Sequence, residues 1–159
     1  MKERRMQPTR RVVLLGASAF AAFALASRSS RAQDRAFSPK RPVALRGHDP
    51  ISYFTDGRPE KGSPEFSFSF EDAEYNFVSA SHRETFKSDP EKYAPQFSGY
   101  CAIAMSHGNK VEPDPEAWAI TGGKLYVFST KPSVPKFQQN TTEIVVNASR
   151  RWDDLRKTN

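Results

Sequence analysis

The chain has 159 residues, a formal charge of +6 and a single cysteine. That length allows one domain with a short appendage, and a lone cysteine excludes an intramolecular disulfide, so stability has to come from packing of the abundant Phe, Tyr and Trp. Residues 1–32 hold seven Arg or Lys against one Glu, which is the whole excess; the remainder balances seventeen against seventeen and lacks the basic footprint of a nucleic-acid binder.

Thr9-Arg10-Arg11 leads into the uncharged run Val12 to Ala26, about 15 residues, short of the roughly 20 that cross a bilayer as a helix. A basic start followed by such a run reads as an export signal. Small residues at Ser30 and Ala32 place cleavage after Ala32, with Ala26 as the alternative. TRRVVLL is similar to a twin-arginine signal, with Val13 where phenylalanine is usual and Leu15 where lysine is frequent. The expected partner is therefore the twin-arginine translocase, with ordinary secretory export as the alternative, and the expected location is the periplasm or outside the cell. The mature chain is expected to carry no stable membrane span.

Residues 33–42 are polar, without periodicity, and read as a flexible lead-in to a domain over 43–159. Val43 to Leu45 reads as a short strand, Gly47-His48-Asp49-Pro50 as a turn and Ile51 to Phe54 as a short aromatic stretch. Phe66, Phe68 and Phe70 alternate with polar residues, the period of a half-buried strand, and Tyr75 to Val78 returns as the second arm of a hairpin. Ser79, or Ser81 with Glu84, caps a helix that must stop by Asp89, before Pro90, which opens one more turn to Tyr93.

After a corner at Pro95 to Gly99, Tyr100 to Met105 reads as a central strand and Ser106 to Glu116 as a loop. Trp118 to Ile120 and Leu125 to Phe128 flank Gly122-Gly123, a second hairpin. Ser133 caps a short helix through Phe137, and Ile144 or Val145, Ala148, Trp152 and Leu155 recur at helical spacing in an amphipathic terminal helix. The fold expected is α+β: a small antiparallel sheet of hairpins packed by a short helix and the terminal helix. No internal repeat or low-complexity segment is read in the sequence.

GHDPISYF at 47–54, the stretch from Tyr75 to Ala104, DPEAW at 114–118 and GGKLYVF at 122–128 together resemble the YHS-domain family, most closely its exported bacterial members. The resemblance covers nearly all of the mature chain. It implies a YHS-like fold and a link to the handling of transition metals through cysteines in a DPVCGM-like segment and an FCS-x-x-C segment. Those cysteine positions fall on Ser52, Val78 and His82 in this chain, so only one retains a side chain able to bind metal.

Cys101 and Met105 are soft ligands, and a histidine, His48, His82 or His107, would complete a set for copper or zinc. On an extended strand Cys101 and Met105 lie roughly 13 Å apart, too far to share one ion, so the metal site expected is Cys101 with His48 and His82. Cys101 reads first as a buried small apolar residue, with a ligand and a reactive thiol as its other readings. Tyr53, Tyr100 and Trp118 are candidate pocket walls for a small ligand, or core aromatics. Asp49, Asp114 and Glu116 are explained by turns beside proline.

No G-x-S-x-G, phosphate loop or HExxH occurs. The main reading is a non-catalytic exported module binding a transition metal or small ligand. A thiol- or metal-dependent enzyme, which needs Cys101 in a cleft beside a histidine, and a structural subunit without ligand are the alternatives.

Overall fold

The computed structural model describes residues 41–157; the export signal expected over 1–32 and most of the lead-in expected over 33–42 lie outside the described residues. Two antiparallel hairpins supply the strands. The first pairs β1 (Ser63–Phe70) with β2 (Ala73–Phe77), and the second pairs β3 (Asp114–Thr121) with β4 (Lys124–Phe128). In β1 the three alternating phenylalanines turn inward to half-burial while Glu65 and Ser69 stay exposed, as a period of two dictates.

Among the described residues there are six α-helices: α1 (Pro50–Thr55), α2 (Ala80–Ser88), α3 (Pro90–Tyr93), α4 (Ala102–Ser106), α5 (Ser133–Gln139) and α6 (Thr141–Lys157), the last packed chiefly on α4. The architecture is α+β, as expected. Ser79 rather than Ser81 caps α2, its Oγ accepting the His82 N–H at 3.2 Å. Asp89 closes α2 and opens α3, accepting the Lys92 N–H at 3.2 Å. In α6 the buried stripe is Ala148 and Trp152, flanked by half-buried Ile144, Val145 and Leu155.

Several expectations are corrected. Tyr100 to Met105 is not a central strand: Cys101 is the N-cap of α4, and the run that follows is helical. Ala and Met favour a helix, and each hairpin forms its own two-stranded sheet, leaving no fifth strand between them. Ile51 to Phe54 belongs to α1, started by Pro50 at its first position and by the Asp49 carboxylate, which accepts the Ile51 N–H at 2.8 Å. Of the strand expected at Val43 to Leu45 only one bridge exists, Val43 to Glu74, because Leu45 and Arg46 adopt left-handed backbone. Ser133 is the first residue of α5, not its cap, and its Oγ meets that of Thr130.

The largest departure from the sequence reading is that the domain is built twice. Hairpin register runs Ser63 to Phe77, then Ser67 to Asn76 and on to Phe70 with Ala73; the second runs Asp114 to Phe128, then Trp118 to Val127 and on to Thr121 with Lys124. Each position of the second is its counterpart plus 51, with the irregularity at the same place in both. Ahead of each hairpin stands the same turn. Leu45-Arg46-Gly47 and Phe97-Ser98-Gly99 all have positive φ, and the next residue donates back, His48 N–H to Leu45 O at 3.0 Å and Tyr100 N–H to Phe97 O at 3.1 Å.

Asp49 and Cys101 then cap α1 and α4, and their own N–H groups donate to Glu60 O and Val111 O, each at 2.9 Å. Behind each hairpin one phenylalanine anchors the helix. Phe86 sits 5.0 Å from the Tyr75 ring and 5.2 Å from Phe77; Phe137 sits 4.9 Å from Tyr126 and 5.0 Å from Phe128. The halves share their interior, for the first core cluster takes Leu125 and Val127 from the second hairpin. Gly99 lies so near Leu45 that a Cβ there would stand 3.4 Å from its backbone and side chain.

Candidate functional site

Asp49 is wholly buried. A carboxylate removed from water must be compensated by donors, and three converge on it: Ile51 N–H on Oδ1 at 2.8 Å, Val78 N–H on Oδ2 at 2.9 Å, and His82 Nδ1 on Oδ2 at 2.7 Å. The elements explain the convergence. Asp-Pro opens α1, Val78 directly follows the return arm of the first hairpin, and His82 lies on the first turn of α2, held there by the Ser79 cap.

An ionised carboxylate only accepts, so Nδ1 of His82 carries a proton and, in the neutral ring, Nε2 holds the lone pair. The His82 side chain is 24% exposed. The result is an imidazole fixed in orientation and tautomer from behind, the arrangement in which a histidine serves as a ligand or hydrogen-bond acceptor. The three positions that the YHS resemblance equates with metal cysteines belong to the same neighbourhood: Val78 and His82 both bond to Asp49, and Ser52 lies in the helix that Asp49 caps. The Ser52 hydroxyl is buried without a partner.

The other expected residues are distributed differently. Cys101 is 1% exposed within the second core cluster, among residues such as Met105, Phe137 and Trp152. Its Sγ accepts the Ala104 N–H at 3.5 Å, so its polar work is that of a helix cap. His48 is half-buried and its Nδ1 lies 2.9 Å from Leu45 O, within its own turn. His107 caps the end of α4. Among the described residues no group of three or more His, Cys, Asp and Glu gathers where it would hold a metal ion, so Cys101, His48 and His82 do not form one cage. The described residues do not fit a resident metal enclosed by protein ligands alone.

Tyr53 and Trp118 do meet, edge to face at 5.3 Å, and the Tyr53 hydroxyl donates to Pro115 O at 3.1 Å. Burial, followed by the nearby carboxylates Glu116, Asp114 and Asp49, pushes the Tyr53 phenol far above its usual range. Tyr100 packs instead on Trp152, 6.2 Å away, under the Lys110 ammonium. Its phenol is raised by burial and then by Glu112. Neither of two cavities of about 300 Å³ is lined by Tyr53, Tyr100 or Trp118.

The residue that sequence reasoning passed over is Asp49, assigned to turn chemistry alone. It does cap α1, but its second oxygen serves the histidine. Its neighbour Pro50 disclosed the turn, whereas the 33-residue separation from His82 hid the pairing. Protein-family models, curated proteins and solved structures were compared with this chain, and none matches.

Proposed function

We propose that this chain is an exported, non-catalytic binding module of the YHS type, carried out of the cytoplasm by the twin-arginine translocase, in which His82 is the group that meets the ligand. Copper or zinc is the cargo, bound at Nε2 and arriving with its other ligands from a small molecule or a partner. The observation that carries this reading is the buried Asp49 carboxylate bonded to Nδ1 of a partly exposed imidazole. A neutral, oriented imidazole is a good ligand for either ion. Cys101 has an internal role here, as cap and core residue.

The test is a zinc titration of the full chain followed by calorimetry, with His82→Ala and Cys101→Ser beside it. The expected result is at least a tenfold weaker association for His82→Ala and an unchanged one for Cys101→Ser. Equal affinity in wild type and His82→Ala would remove His82 from the role.

A further inference from the structure

The duplication supplies an internal reference for the second half as far as Ile144, the counterpart of Tyr93 at the end of α3. In the first half, the place where the helix after the turn meets the helix after the hairpin is closed by an aromatic pair. Phe54 of α1 and Tyr93 of α3 stand edge to face at 5.4 Å. Their counterparts are Ser106 of α4 and Ile144 of α6, assigned by the same caps and turns: Cys101 for Asp49 at the start of α4, and Asn140 for Asp89 before α6, with matching N–H donation to Phe137 O and Phe86 O. Two rings are thus replaced by a hydroxymethyl group and a branched aliphatic chain, and both replacements line a cavity of about 300 Å³.

The walls have a definite chemistry. Ile103 and Ile144 form an apolar side; Lys136, Glu143, His107 and Asn147 bring polar groups to the rest. The Ser106 hydroxyl is committed to Ile103 O at 2.7 Å. Lys136 and Glu143 are absent from the ion pairs of the described residues. One cation and one anion therefore line the same space without an ion pair between them.

We propose that this cavity binds a free α-amino acid with an aliphatic side chain. The ligand carboxylate pairs with Lys136, its ammonium with Glu143, and its side chain lies against Ile103 and Ile144. A pocket near 300 Å³ is at the small end for organic ligands and suits a molecule of this size. The site lies in the second half, apart from the Asp49–His82 pair of the first, and stands or falls independently of it.

Amide NMR of the full chain titrated with L-valine tests the proposal, with isovalerate (no ammonium) and isobutylamine (no carboxylate) as probes of single charge. The expected result is shifts confined to 103–107 and 136–147, with the two singly charged probes at least tenfold weaker. Ser106→Phe with Ile144→Tyr, which installs the aromatic pair of the first half, should abolish the shifts. Should that variant fail to fold, Lys136→Met and Glu143→Gln decide, since both residues are exposed; each should weaken L-valine at least tenfold. The proposal is overturned by an absence of shifts, by isovalerate or isobutylamine matching L-valine, or by L-valine binding that survives both charge substitutions.

Discussion

Asp49 and Cys101 occupy the same place in the two halves, yet the chemistry at the cap differs. Each accepts a backbone N–H from the helix it starts, but the carboxylate has a second oxygen free to hold Val78 N–H and His82 Nδ1, and the thiol has nothing further to offer. At this place the first half holds an imidazole, and the second holds none. Asp49→Ala should lower stability by about 3 kcal/mol or more, because it strands two backbone N–H groups as well as the imidazole. Denaturant unfolding checks this; a loss within the error of the measurement would mean the three bonds carry no net weight. The candidate histidines and the cysteine were legible as residue types. Which of them pair was not, because a contact between Asp49 and His82 is fixed by how the first hairpin folds back, not by any local spacing.

At the level of elements, each hairpin and the helix behind it form a unit locked by one phenylalanine. Phe86 is surrounded by Phe68, Phe70, Tyr75 and Phe77, whereas Phe137 has Tyr126 and Phe128. Either residue replaced by alanine should cost about 3–5 kcal/mol, the range for a buried aromatic, with Phe86→Ala the larger loss because it vacates more ring contacts. Thermal unfolding of the two variants measures the order; a smaller effect of Phe86→Ala would contradict the packing described. Both hairpins and the terminal helix were readable from alternation and helical spacing. The segment Tyr100 to Met105 was not, since a short apolar run has no period to separate strand from helix; what decides is that Cys101 caps and no neighbouring strand is available. The duplication escaped because its visible trace is thin, Tyr75, Phe77 and Phe86 against Tyr126, Phe128 and Phe137, while most surface positions between them differ.

Over the whole molecule, the two halves interlock through Leu125 and Val127 in the first core cluster and through the approach of Gly99 to Leu45. Stability at high pH follows from what that interior holds. Tyr53 and Tyr75 are pushed far above the ordinary phenol value, chiefly by burial and then by neighbouring carboxylates. The folded state keeps these protons where the unfolded chain releases them, so their contribution is intact below about pH 10 and declines as pH rises above it. Denaturant midpoints should accordingly fall above about pH 10, with two phenols ionising only on unfolding; early ionisation of every tyrosine in the folded protein would contradict this. Within this frame the Asp49 carboxylate holds the His82 imidazole in one orientation. The most direct test of that claim is a long-range proton–nitrogen spectrum of the histidine rings, recorded before and after one equivalent of zinc. The account predicts His82 as the tautomer protonated on Nδ1, with its Nε2 signal the one displaced by zinc. A His82 ring protonated on Nε2, or a zinc response centred on His48 or His107 instead, would contradict it.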